Sequence, residues 1–195
     1  MKWAFDFLNG LHNSTAIAQA IINRTCLAVS DGSLKSPVGT AAFALVGATD
    51  DHIIQGVHLT PGPILDGNSF RCEISGLLAV VYLSQLICTF YGITEGAIQV
   101  ICDNKTALTT FQSWFTPDPN HDSFDLISSL RASLATSPLT WSTQHVYGHR
   151  DKTGTHLTRF EALNVKMDHL ANQYRSSHTT PADTLPINVS LLDEG

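Results

Sequence analysis

Four carboxylates lie far apart in this 195-residue sequence, each carried by a segment suited to hold it. They are Asp31 in Ser30-Asp31-Gly32-Ser33, Glu73 in Arg71-Cys72-Glu73, Asp103 in Cys102-Asp103-Asn104 and Asp168 in Met167-Asp168-His169. Carboxylate oxygens are hard ligands, so a fold that gathered the four would make an oxygen-rich site for a divalent cation. Taken singly, each has a plainer explanation. Asp31 before Gly-Ser is a common turn former. Glu73 is a first-turn acid favoured by a helix dipole, and Asp103 could cap the helix that follows it. Asp168 alone reads as a solvated helix residue. The chemistry depends on whether they converge.

The elements needed to bring them together are legible. Residues 25–30 form a short apolar run ending in Asp-Gly-Ser, and 39–46 and 52–59 follow as strands separated by turn signals. Pro61-Gly62-Pro63 opens a loop, and Ser69 is placed to cap a helix from Phe70 to Tyr91 with Glu73 in its first turns. Residues 97–102 are continuously apolar, as expected of a buried parallel strand, and Asp103 stands at its end. Helices are predicted over 105–115, 124–134 and 160–174, with a fifth strand over 139–146. The order β-β-β-α-β-α-α-β-α predicts an α/β fold: a five-stranded mixed sheet flanked by helices. Ligands of such sheets bind outside the carboxyl ends of parallel strands, where Asp31 and Asp103 are expected. The last helix carries a stripe of Leu163, Met167, Leu170 and Tyr174, and Asn164 and Asp168 share the adjoining face at i, i+4.

Composition narrows the classes. With 43% hydrophobic and 14% charged residues, the chain can bury one core. The longest apolar stretch, residues 74–91, is broken by Ser75, Gly76, Ser84 and Gln85, so it is expected to be a buried helix and no membrane association is expected. Asp6 interrupts what would be the apolar part of a signal peptide, which predicts a cytoplasmic or nuclear protein that is not secreted. On that route the sequons at Asn13, Asn23, Asn104 and Asn188 would not be glycosylated. Cys26, Cys72, Cys88 and Cys102 lack C-x-x-C spacing and read as reduced core thiols, which argues against zinc. The net charge of −6, with 11 Lys and Arg, argues against a tight grip on a phosphate backbone by this chain alone.

Five pieces in order carry a resemblance: Val29-Ser-Asp-Gly-Ser33, Phe70-Arg-Cys-Glu-Ile-Ser-Gly-Leu-Leu-Ala79, Ile101-Cys-Asp-Asn-Lys105, His145-Val-Tyr-Gly-His149 and Asn164-Val-Lys-Met-Asp-His-Leu-Ala171. Together they resemble the type I ribonuclease H family, and most of all the domain found in reverse-transcriptase polyproteins of retroelements. The likeness spans about residues 25–175. It implies a ribonuclease H-like fold over 25–175; the residues on either side read as a partly helical N-terminal extension at 1–24 outside the core and an irregular tail at 176–195, in which 187–192 could pair with a sheet edge or begin a further domain.

The resemblance also implies a function: hydrolysis of the RNA strand of an RNA/DNA hybrid with two Mg2+ ions, for which Mn2+ could substitute. Asp31 would bridge both ions, Asp168 would complete the nucleophile side, and Glu73 with Asp103 would hold the leaving-group side. His149 would assist proton movement or product departure, and Asn164 would position it or Asp168. Glu73 and the backbone near Gly32 and Ser33 would read the 2′-hydroxyl, and Asn68 and Ser69 would hold a phosphate of the DNA strand. A linked or neighbouring reverse-transcriptase polymerase domain is the implied partner. Two alternatives stand beside this: a non-catalytic module supporting a polymerase, and a DNA-directed nuclease of the same superfold. The sequence departs from familiar members at residues 150–163, a longer excursion between Gly148-His149 and Asp168.

Overall fold

Every residue of the strand Val38–Val46 is buried, as a strand covered by helices on both faces should be. The computed structural model describes residues 2–62, 69–153 and 156–178. Its elements run β1 (Phe7–Asn9), α1 (Ser14–Ile22), β2 (Cys26–Lys35), β3 (Val38–Val46), β4 (Ile53–Leu59), α2 (Phe70–Tyr91), β5 (Gly96–Cys102), α3 (Lys105–Gln112), α4 (Phe124–Thr136), β6 (Leu139–His145) and α5 (Arg159–Ser177). Across the sheet the order is β1-β4-β3-β2-β5-β6. The strands β1, β4, β3 and β2 pair antiparallel, whereas β2, β5 and β6 pair parallel.

Strand alternation divides the core in two. Cys26, Ala28, Phe43, Leu45, Ile98 and Val100 face α1 to α4 and meet Ile74, Leu77 and Leu130. Leu27, Val29, Ala42, Ala44 and Ile101 face the other way and meet Leu163, Met167 and Ala171 of α5. The helix α2 contains an 18-residue window of mean hydropathy 1.7, enough by length and composition to cross a membrane, contrary to the expectation from its interrupting polar residues. In the structure 72% of that window is buried, with Ser75 and Ser84 bonding back to the Cys72 and Val80 carbonyls, so it serves as a core helix.

Several expectations need correction. The sheet has six strands, not five, because Phe7-Leu8-Asn9 pairs with β4 in a run of three, too short to show a period. The N-terminal segment belongs to the core: Ala4, Ile17, Ala18, Ala20 and Ile21 are buried within the larger cluster. The strand β2 does not stop before Asp31 but runs to Lys35, since pairing with β3 continues through Asp31↔Ala42 to Lys35↔Val38. The helix α3 ends at Gln112, leaving Phe115 outside it beneath the Arg131 guanidinium. The helix α5 runs to Ser177, so Ser176 and Ser177 are helical, and the expected pairing of 187–192 lies outside the described residues.

Candidate metal centre

The parallel ladder between β2 and β5 ends at Val29↔Ile101, while β2 itself continues alongside β3. Asp31 therefore projects just past the point where β5 gives out, and Asp103 follows the last residue of β5. A gap opens in the sheet here, and side chains from both faces can enter it.

From one face comes Glu73, in the first turn of α2. Gly32 lets it come close: a Cβ at Gly32 would stand 2.8 Å from Cys72 Cβ and 2.9 Å from the Glu73 nitrogen, so only glycine allows β2 to touch the helix start. The Gly32 backbone hydrogen-bonds the Glu73 carboxylate. Ser69 holds the N-cap position without a side-chain cap bond, and its carbonyl accepts from Cys72 and Glu73. From the other face comes α5, on which Asn164 and Asp168 stand one turn apart beside the buried Leu163, Met167 and Ala171.

Asp103 is not a cap. Asn104 takes that role for α3, accepting from the Ala107 nitrogen at 3.0 Å, so the Asp103 carboxylate is not spent on the helix start. His145 Nε2 lies 3.0 Å from the Asp103 carbonyl and steadies the backbone there. The loop after β6 then folds back over the gap. Gly148 lies directly on Asp103, and a Cβ there would strike Oδ2. His149 follows with φ 54°, a left-handed backbone, and places Nδ1 3.7 Å from Asp168 Oδ2 with its ring 60% exposed.

The four acids thus share one electrostatic neighbourhood. Asp31 is 4% exposed and Glu73 5%. Burial pushes the Asp31 carboxyl well above its usual range, and the charges of Glu73, Asp103 and Asp168 push it further. Burial raises Glu73 as well, aided by Asp103. For Asp103 burial again raises the value, while the charge of His149 opposes it. What offsets these acids is mostly neutral: the Asn164 side chain bonds both Asp31 and Asp103, and the Cys102 thiol donates to Glu73 Oε2 at 3.7 Å. Ligand atoms of Glu73, Cys102 and Asp103 all lie within 4.8 Å of one another.

A hard divalent cation fits this donor set. Buried carboxylates this close together are neutralised by protons or by a cation, and a cation in this gap can meet oxygens of several of them at once. Asn164, 1% exposed and bonded to two of the acids, also leaves its buried Oδ1 without a hydrogen-bond partner.

Of the residues singled out in sequence, Asp31, Glu73, Asp103, Asp168, His149, Asn164 and Gly32 meet in this gap. Ser33 is buried two residues along β2, its hydroxyl committed to Asn172. Ser69 lies at the rim, lining a pocket of about 330 Å³ with Phe70, Asn104, Thr106 and His121. Asn68 lies outside the described residues. Sequence reasoning missed the Cys102 thiol, hidden as the last residue of an apolar strand. It also missed Asn172, whose signal is the i, i+4, i+8 row Asn164-Asp168-Asn172.

The sequence matches no protein-family model and no curated protein. Solved structures do match. A ribonuclease H1 from the halophilic archaeon Halobacterium salinarum superposes with a TM-score of 0.52 at 20% identity, over 78% of this chain and 98% of that one. A ribonuclease H1 isolated from compost, solved in complex with an RNA/DNA hybrid, gives 0.51 at 12% identity, over 80% and 99%. The protease-reverse transcriptase of prototype foamy virus gives 0.52 at 21% identity, over 76% of this chain and 20% of that much longer one. The strand order, the helices on both faces and these superpositions agree: the chain has the ribonuclease H fold.

Proposed function

We propose that the chain is a ribonuclease H, which hydrolyses the RNA strand of RNA/DNA hybrids with two magnesium ions held by Asp31, Glu73, Asp103 and Asp168. The observation that carries this reading is the convergence of four acids from β2, α2, β5 and α5 on one gap in the sheet, with Asp31 and Glu73 almost wholly buried. A folded protein keeps such an arrangement only at a cost to its stability, and cation binding is the function that offsets it.

Divalent cations bound there would polarise the scissile phosphate and activate the attacking water. The chain's own residues divide the remaining work. Asp31 faces the other three acids and is the central ligand. Glu73 and Asp103 form one flank, Asp168 with His149 the other. His149, exposed and beside Asp168, carries protons between solvent and the site. Asn164 fixes Asp31 and Asp103 from below. Glu73 and the backbone at Gly32 and Ser33 would meet the 2′-hydroxyl that distinguishes RNA. Ser69, with Asn68 before it, would hold a phosphate of the DNA strand at the start of α2.

The net charge of −6 supports a division of labour, in which a linked or neighbouring polymerase domain supplies much of the grip on the hybrid. The foamy virus chain is an instance of this fold within a longer reverse transcriptase. We place the protein in a retroelement context on this ground and on the motif likeness. The four facing acids weigh against a purely supportive module.

A labelled-substrate assay tests the reading. The wild-type protein with Mg2+ or Mn2+ should cut hybrid but neither double-stranded RNA nor duplex DNA, and Asp103→Asn should abolish cutting while the protein stays folded. Equal cutting of duplex DNA, or none of any substrate, would overturn it.

A further inference from the structure

Asp168 is held by a chain of hydrogen bonds that begins on the strand carrying Asp31. Arg175 Nε donates to Ser33 Oγ at 2.9 Å, Ser33 Oγ donates to Asn172 Oδ1 at 2.8 Å, and Arg175 Nη2 donates to the same Oδ1 at 3.2 Å. At its far end Asn172 Nδ2 donates to the Asp168 carbonyl at 2.9 Å and to Asp168 Oδ1 at 2.7 Å.

The direction of every bond is forced. Arginine can only donate, so Ser33 must accept from it and turn its own proton to Asn172. A carboxylate can only accept, so the Asn172 amide nitrogen must face Asp168. Both amide protons and both lone pairs of Asn172 are used, and turning the amide over would set oxygen against the Asp168 oxygens at one end and N–H against the Arg175 N–H at the other. Few side chains in a protein are so fully specified.

We propose that Asn172 is a positioning residue that occupies Asp168 Oδ1 and thereby presents Oδ2 alone to the cation. The free oxygen is the one that faces His149. Ser33 stands two residues beyond Asp31 and points to the same side of β2, so the network also ties the position of Asp168 on α5 to that of Asp31. Thr40, opposite Ser33 on β3, adds a bond to the Ala171 carbonyl at 2.9 Å and pins the same turn of α5. The carboxylate is thus oriented before any ion arrives, which lowers the ordering cost of binding. This rests on the metal-dependent reading above.

The test is the magnesium dependence of the melting temperature, measured without nucleic acid on the full chain, in wild type, Asn172→Leu and Ser33→Ala. Asn172→Leu keeps the branching at Cγ and loses all four bonds. Its half-saturating magnesium concentration should rise by about 10- to 100-fold, the range typical of residues that orient metal ligands. On hybrid, kcat should fall with KM little changed. Ser33→Ala leaves the Asn172 to Asp168 contact and the Arg175 bond to Oδ1 but removes the other donor that fixes the amide, and should shift half-saturation by about threefold in the same sense. If Asn172→Leu does not fold in EDTA, Ser33→Ala carries the comparison. Half-saturation within twofold of wild type in the folded variant would overturn the proposal while leaving the metal reading intact. A wild type whose melting does not respond to magnesium would overturn both.

Discussion

Gly148 lies so close to Asp103 that a side chain of even one carbon would collide with the Asp103 carboxylate. The loop after β6 uses this contact to close over the acids, and His149, the next residue, reaches Asp168 from it. Gly148→Ala should therefore push the loop outward and displace His149. Because neither residue belongs to the core, the melting temperature should change little. Cleavage should fall by about 100-fold, the usual effect of an ångström-scale misplacement in an active site. Hybrid cleavage and thermal melting on the same sample check this, and unchanged cleavage would show that the loop position is not used.

Asp31 links the site to stability. Burial, then the charges of Glu73, Asp103 and Asp168, raise its carboxyl to about 10, and Glu73 is raised to about 8. An unfolded carboxyl titrates near roughly 4. Between these values the unfolded chain has released protons that the folded metal-free protein still holds, so metal-free stability falls as pH rises through this window. Added magnesium takes the place of those protons, and its stabilising effect should grow with pH. Asp31→Asn should abolish cleavage, raise the metal-free melting temperature at pH 8 by a few degrees, and flatten its decline with pH. A variant less stable than wild type in EDTA at pH 8 would contradict this.

How far the sequence foretold all this depends on where each signal lies. The helix Phe70–Tyr91 is legible to the residue because a largely apolar run opens after Ser69 and ends at Gly92, whose φ of 65° supplies the left-handed cap. The convergence of Asp31, Glu73, Asp103 and Asp168 follows from their places on elements whose order is readable. What could not be read was set by tertiary pairing. Asp31 looks like a turn residue because Gly32 follows, yet β3 pairs onward and makes it part of a strand. Residues Phe7 to Asn9 become a strand only because β4 offers an edge. Asn172 looks like any polar helix residue until Ser33 and Arg175 are seen beside it.

His58 predicts the opposite slope on the acid side. It is fully buried on β4, edge-on to Trp3 at 4.9 Å and 5.9 Å from Phe43. Burial lowers its ring to about 3, against roughly 6.5 in the unfolded chain. The ring is neutral in the folded protein, so its contribution is fully present above about 6.5 and is lost as pH falls toward 3. His58→Leu should narrow the difference in unfolding free energy between pH 7 and pH 4.5, as read from urea titrations at both values. The same difference in variant and wild type would exclude His58 as the source of acid sensitivity.

Arg71, two residues before Glu73, anchors the start of α2 by a buried fork. Its Nη1 and Nη2 meet Asp125 Oδ1 and Oδ2 at 2.8 and 2.7 Å, and Nε and Nη1 also donate to the Pro61 and Asp122 carbonyls, each at 2.8 Å. Removing one partner of such a pair strands the other charge in the core, at a cost of about 3 to 5 kcal/mol. Asp125→Ala should therefore destabilise strongly. Arg71→Lys should fail to restore the wild type, because an ammonium cannot reproduce the planar fork. The double replacement Arg71→Met with Asp125→Leu leaves no stranded charge and should recover much of the loss. Urea denaturation of the four proteins resolves these terms, and a double variant no more stable than Asp125→Ala would mean that the carbonyl bonds of Arg71, not the ion pair, hold α2 in place.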